Sequence, residues 1–403
     1  MDATILIGIA VLLLAAKIFG EAAARLRISP IVGEIFAGIV VGPLFHLINI
    51  GSQFGDLLSF GILFLLFLSG LSSRIEDIKN EAYTGVALCI AGGALSAVLG
   101  YAFGMIFFQD QLTAVFIAVA IISSSTAVAV RSMVDIGEIE TANGKKVLAV
   151  MMSDDVMAVA ALAILTAYIT SGNIVFDDAT KLVLMILGFF IVLASVGTKI
   201  VNKLVSIGQK MRDEQAIFSL ALVVLFIVAA ISEKIGVAAV TGAFLAGLIL
   251  SKNSFVSPVI VPKVKTIGYG LFIPLFFAYT GMSVDLNALH AFIVPILVLT
   301  VLAIAGKLVG VLLTGRYFGI KKRELFIIGT AMVPRGEYAL VISQIALTVG
   351  AISRDVFSIV MGVVLLTIIA TPLLMQLAKR KRSSTSLRTI VSKNKQPWQI
   401  KMK

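Results

Sequence analysis

The chain has 403 residues, of which 59% are hydrophobic and only 14% charged, with a formal net charge of +11 and a mean hydropathy of +1.06. Soluble domains carry about 25% charged residues, whereas here apolar stretches of about 20 residues, enough to cross a bilayer core as helix, recur from end to end. A soluble globular domain is excluded, and continuous apolar runs in place of period-2 alternation exclude a β-barrel.

The expectation is an all-α polytopic membrane protein with 13 transmembrane helices. In chain order the spans are 2–20, 28–48, 51–73, 82–107, 110–133, 144–170, 180–205, 213–232, 236–252, 258–282, 288–317, 322–349 and 353–378. The start carries Asp2 and no basic segment, so residues 2–20 are expected to be a retained first helix and not a signal peptide. The chain divides into a transmembrane domain, 1–378, and a basic cytoplasmic tail, 379–403, expected to be disordered or to lie on the membrane surface.

Lys and Arg set the orientation. Nearly all of them fall in the loops after spans 1, 3, 5, 7, 9 and 11 and in the tail. The opposite side has Lys181, Lys234 and Arg354, and Lys307 and Arg335 lie inside spans. The expected topology is multi-pass in the plasma membrane, N-terminus outside and C-terminus cytoplasmic. This asymmetry accounts for the net charge, so no nucleic-acid partner is needed. One cysteine (Cys89) and two histidines (His46 and His290) make no metal-ligand cluster, and no phosphate loop, HExxH or GxSxG stretch occurs. No cofactor and no enzymatic chemistry are expected.

Internal similarity is weak but regular. "GEIFAGIVV" (33–41) resembles "GAFLAGLIL" (242–250), and "LFLSGLSSRI" (66–75) aligns loosely with "FAYTGMSVDL" (277–286), at offsets of 209 and 211. Spans 1–6 then correspond to spans 8–13, with 180–205 as a linker helix. Corresponding spans lie an odd number apart, so the halves are inverted repeats, an architecture of secondary transporters.

A charge at the bilayer centre costs about 2.5–3.5 kcal/mol on insertion scales, so such residues are paired or functional. The mid-membrane candidates are Asp154, Asp155, Lys307, Arg335 and Glu337; Glu34 and Arg131 lie nearer span ends. Adjacent helix residues point about 100° apart, so Asp154 and Asp155 cannot serve one pocket equally. One natural arrangement pairs either of them with Lys307 and leaves the other facing a cavity. An unpaired carboxylate there holds a proton or a small cation, not both, which is the simplest physical basis for exchanging the two. The divergence also argues against an intramembrane aspartyl protease, which brings two aspartates to one water. Two stretches should break their helices: "IISSSTAVAV" (121–130), with Ser123, Ser124, Ser125 and Thr126, and "AMVPRGEYALV" (331–341), with Pro334 and Gly336. They occupy equivalent positions in the two halves, the best sequence pointer to a transporter site. Unwound backbone there offers carbonyl and hydroxyl oxygens to a cation, and Arg335 and Glu337 are placed to neutralise the half-helix ends.

These stretches, with "ISPIVGEIFAGIVVGP" (28–43), "SDD" (153–155), "AGKLVG" (305–310) and "PRGEYALV" (334–341), resemble the cation/proton antiporter superfamily. The likeness is to the NapA-type sodium/proton antiporters and to the membrane domain of Kef-type potassium efflux systems. It covers essentially residues 1–378. The resemblance implies a homodimer with an elevator mechanism, a moving core within 82–170 and 288–378, and a dimerisation scaffold within 1–73 and 213–282. It further implies that Asp155 is the main cation- and proton-binding carboxylate and that Asp154 pairs with Lys307, both aspartates meeting Na⁺, with Ser123–Thr126 at the helix crossing. Kef-type members carry a single aspartate and a nucleotide-binding domain. The Asp154-Asp155 pair and the short tail therefore favour Na⁺ (or Li⁺) exchange for H⁺. K⁺/H⁺ exchange is the nearest alternative, and a cation channel or sensor the next.

Overall fold

The computed structural model describes residues 3–26, 28–48, 53–72, 82–139, 141–171, 188, 193–208, 210–211, 215–235, 239–253 and 256–393. Among the described residues all regular structure is helical. The first group is α1 (Ala3–Arg25), α2 (Pro30–Ile39), which continues through a π-helical turn (Val40–Leu44), and α3 (Gln53–Ser72). The second is α4 (Ala82–Phe108), α5 (Gln111–Ala120), α6 (Thr126–Asp135) and α7 (Ala142–Ser171). The expected linker 180–205 falls largely outside the described residues; its described end is a π-helical turn (Leu193–Gly197) and α8 (Thr198–Gly208).

The chain continues with α9 (Ala216–Lys234), α10 (Ala239–Ser251), α11 (Val256–Ile267) and, after a π-helical turn (Gly268–Phe272), α12 (Ile273–Met282). It ends with α13 (Leu286–Ala291), α14 (Ile293–Tyr317), α15 (Lys322–Ala331), α16 (Glu337–Thr348) and α17 (Arg354–Lys393). Among the described residues seven helices are long and apolar enough to cross a membrane. They fall on the expected spans 1, 4, 6, 8, 10, 11 and 13. Spans 5 and 12 contain shorter helices because each is interrupted, at 121–125 and at 332–336. One boundary moves. α17 runs on to Lys393, past the expected span end at 378. No Gly or Pro follows Pro372 before that point to stop it, and cations suit a helix C-terminus.

Local chemistry explains where the helices start. Pro30 sits in the first turn of α2, where its missing N–H costs nothing. Asp110 caps α5, its carboxylate accepting the Thr113 N–H at 2.8 Å.

Glycines then let backbones touch. A Cβ on Gly38 would lie 1.7 Å from the Ala278 carbonyl oxygen, and one on Gly281 would lie 2.0 Å from that of Ile35, so α2 and α12 pack backbone to backbone. The same holds for α3 and α10. There, Cβ atoms on Gly70 and Gly247 would stand 2.0 Å from the Phe244 oxygen and 2.2 Å from the Phe67 oxygen. Only small residues permit such approach between helices in lipid. The result is one compact set of helices, α1–α3 with α9–α12, beside a second set built on α4, α7 and α14. In that second set Gly306 and Gly310 seat α14 against Ser96 and Ala91 of α4.

Candidate functional site

The site forms where α7 passes the two helix interruptions. Asp154 turns toward α4 and α14. Its Oδ1 accepts Lys307 Nζ at 2.6 Å, and both side chains are fully buried. Gly92 makes room for the lysine stem, since a Cβ there would lie 3.2 Å from Lys307 Cδ. The same oxygen meets the Cys89 thiol at 3.7 Å, and Oδ2 accepts the backbone N–H of Ser124. A buried carboxylate with a cation and a peptide donor is a satisfied one.

Asp155, one residue on, faces the other way. Its Oδ1 accepts Thr126 Oγ1 and its Oδ2 accepts Ser69 Oγ, each at 2.9 Å. No Lys or Arg pairs with it among the described residues. It borders a cavity of about 340 Å³ between the two helix sets. Ser69, Ser72, Lys265 and Tyr269 line that cavity from one set, and Thr126, Met152 and Glu337 from the other. The divergence expected from helix geometry is therefore present: one aspartate is locked in an ion pair, and the other holds only hydroxyls beside open space.

The two interruptions meet. Ser125 N–H donates to the Pro334 carbonyl at 2.7 Å, and Ser124 Oγ donates to the Met332 carbonyl at 2.8 Å. Gly336 permits the crossing: a Cβ there would lie 2.4 Å from Ser125 Cβ. Four half-helix ends converge, and unpaired peptide groups carry partial charge at each. Arg335, fully buried, takes a carbonyl from each interruption and one from the middle of α14. Its Nη1 donates to Ser123 O at 3.2 Å and Met332 O at 3.3 Å, and its Nη2 donates to Ala303 O at 2.7 Å. Glu337 stands at the N–H ends: it opens α16, and it accepts the hydroxyl of Ser125, the residue that caps α6, at 2.6 Å. The planar guanidinium suits three carbonyls because its donors form a rigid fork.

Every candidate residue read from the sequence lies in this one region, but they divide by task. Of the four hydroxyl residues only Thr126 reaches Asp155. Ser124 and Ser125 spend their hydroxyls on the crossing, and Ser123 contributes its carbonyl to Arg335. Asp154, a candidate for Na⁺, has both oxygens occupied by Lys307 and by Ser124. Sequence reasoning missed Cys89, Ser69 and Tyr338, whose Oη lies 3.3 Å from Ser69 Oγ. In the sequence Ser69 stands out only within the repeat, yet a hydroxyl inside an apolar span already asks for a partner.

The sequence pattern of the family described as "Sodium/hydrogen exchanger, transmembrane" matches residues 9–376. The chain belongs to the sodium/hydrogen exchanger family. Among family relatives, the Na⁺/H⁺-K⁺ antiporter GerN of Bacillus cereus is 30% identical over 365 residues, covering 90% of this chain and 93% of that one. The Na⁺/H⁺ antiporter of Enterococcus hirae is 26% identical over 377 residues, covering 93% and 98%. The solved sodium proton antiporter MjNhaP1 of Methanocaldococcus jannaschii superimposes with a TM-score of 0.74 at 18% identity, over 94% of this exchanger and 99% of that chain. That likeness shows the exchanger fold.

Proposed function

We propose that this protein is a secondary active antiporter exchanging Na⁺ for H⁺, with Asp155 as the carboxylate that holds either in turn. The observation that carries the reading is the environment of Asp155. It is buried, lacks a cationic partner among the described residues, accepts two hydroxyls, and opens onto a cavity. Hydroxyl and carboxylate oxygens suit a hard cation. A carboxylate that binds a proton has lost the charge that attracts Na⁺, so the two ions compete.

The names of the family relatives support Na⁺ as the cargo. The name of the 30% identical relative includes K⁺ as well, which is the observation favouring K⁺/H⁺ exchange as the second reading. Asp154 and Lys307 form the neighbouring pair. Release of Asp154 from Lys307 would let it assist the cation.

The mechanism we infer is an elevator. The core within 82–170 and 288–378 moves against the scaffold within 1–73 and 213–282, in a homodimer with 13 spans. Two features support inverted repeats. The helix interruptions stand at the expected offset, and the two glycine contacts, α2 with α12 and α3 with α10, exchange if the halves are swapped. Ser72 and Lys265 in the cavity lining fall near the span ends that the Lys/Arg distribution assigns to the cytoplasm, which supports a cavity facing that side. In the plasma membrane with that orientation, we infer a site that opens inward.

The test uses proteoliposomes with an imposed inside-acid pH gradient, followed by addition of Na⁺, Li⁺ or K⁺. Na⁺ is expected to collapse the gradient with the wild type and not with Asp155→Asn. Collapse by K⁺ alone would replace the cargo, and no collapse by any cation, with incorporation verified, would overturn the reading.

A further inference from the structure

Ser69 belongs to one helix set and bonds to the other. It lies on α3, which is fixed in the scaffold by the Gly70 and Gly247 backbone contacts with α10. Its hydroxyl nevertheless stands between two side chains of the opposite set, 2.9 Å from Asp155 Oδ2 on α7 and 3.3 Å from Tyr338 Oη on α16. An ionised carboxylate only accepts. The single Ser69 proton therefore points to Asp155, and the buried Tyr338 hydroxyl donates to Ser69 Oγ. The chain of bonds runs core to scaffold to core.

We propose that Ser69 sets the coupling of the exchange by tethering the core to the scaffold when Asp155 is empty. The proposal rests on the reading that Asp155 carries Na⁺ or H⁺ and that the two helix sets move relative to each other. A hydroxyl bond to a bare carboxylate is charge-assisted and about twice as strong as one to a neutral acceptor. A proton or Na⁺ on Asp155 neutralises that acceptor and weakens the tether. The loaded core is released and the empty core is held. An antiporter requires that asymmetry, because an empty carrier that crosses turns exchange into one-way leak. Thr126 does not contribute to it, since Thr126 and Asp155 lie in the same helix set and travel together. Lys265, Tyr269 and Glu337 also face the cavity, but no contact of theirs joins Asp155 to the scaffold.

The experiment compares wild type, Ser69→Ala and Ser69→Thr in proteoliposomes loaded with ²²Na⁺ and a pH dye. The vesicles are diluted into Na⁺-free alkaline medium with equal thiocyanate on both sides, so that its exit balances the charge of any uncoupled Na⁺ loss. Wild type is expected to lose Na⁺ only as H⁺ enters. Ser69→Ala is expected to lose Na⁺ without H⁺ at a rate at least about tenfold higher, the effect of one charge-assisted bond. Ser69→Thr, which keeps the hydroxyl, should restore the coupled ratio. Wild-type coupling in Ser69→Ala overturns the proposal.

Should Ser69→Ala move neither ion, a second measurement decides. Met152→Cys lines the cavity and is labelled with a membrane-impermeant maleimide from each side in Na⁺-free alkaline buffer; Cys89 is buried and stays unlabelled. With Ser69 present the label is expected from one side, and with Ser69→Ala from both. Identical labelling overturns the tether. Failure of the wild type to exchange Na⁺ for H⁺ would instead remove the Asp155 reading on which the tether rests.

Discussion

Removing one member of the Asp154–Lys307 pair should damage the protein far more than removing both charges. The pair is separated by 2.6 Å with both side chains at 0% exposure. At an effective dielectric of about 20 its attraction is about 6 kcal/mol. Withdrawing each ion from water costs several kcal/mol, so the intact pair is close to neutral against a well-packed apolar substitute. Lys307→Met leaves Asp154 with the Ser124 amide and the Cys89 thiol but no cation, and a broken buried pair costs about 3–5 kcal/mol. Asp154→Asn keeps an acceptor for Ser124 while dropping the charge. The double variant Asp154→Asn, Lys307→Met should therefore recover most of the loss. Thermal midpoints of the purified wild type, the two single variants and the double variant form the cycle, and a strong positive coupling is expected. If Lys307→Met melts with the wild type, or if the two single losses simply add in the double variant, the pair does not hold the site together.

Arg335→Lys should destabilise by a few kcal/mol, because a lysine reaches one of the three carbonyls (Ser123, Met332 and Ala303) and strands the others at about 1–3 kcal/mol apiece; thermal midpoints measure it. Gly336→Ala puts a Cβ 2.4 Å from Ser125 Cβ and forces the two interruptions apart, so a loss of about 1–3 kcal/mol should accompany a fall in exchange rate, read in the same proteoliposome assay. Asp110→Ala should cost about 1 kcal/mol in the first turn of α5, seen as faster amide exchange at Thr113. The Thr113 hydrogen bonds hold the exposed Asp110 carboxyl below its ordinary value of 3.8. Its cap is therefore fully present above that value and is lost only as pH falls through the lower, folded one, and Asp110→Ala should abolish that acid-side change.

Spans and interruptions were legible because each is a one-dimensional signal. Length and hydropathy mark a span, and Pro334 with Gly336, or four hydroxyl residues in a row, mark a break. The divergent facing of Asp154 and Asp155 also follows from helix geometry alone. Which aspartate takes Lys307 does not, since it depends on how α7 is rotated against α4 and α14, a matter settled by Gly92, Gly306 and Gly310 at contacts remote in sequence. The separate tasks of Ser123, Ser124, Ser125 and Thr126 were equally hidden. Four adjacent hydroxyls look interchangeable until the crossing with Pro334 and Gly336 fixes which backbone positions are spent. Ser69 was the least visible, because its role comes from a contact between helix sets that share no local pattern.

The charges around the crossing bear on the proposed competition at Asp155. Three carboxylates, Asp154, Asp155 and Glu337, meet two cations, Lys307 and Arg335. Asp154 is balanced by Lys307, and Arg335 and Glu337 neutralise opposite half-helix ends. The remaining charge is that of Asp155. In the proposed elevator an empty core would carry one negative charge into a low-dielectric environment, where an uncompensated ion is costly. Either H⁺ or Na⁺ on Asp155 brings the group to neutrality, and both together would overshoot it. In the proposed mechanism the charge cost slows the empty form, and the Ser69 tether supplies the rest of the hold that keeps it from crossing.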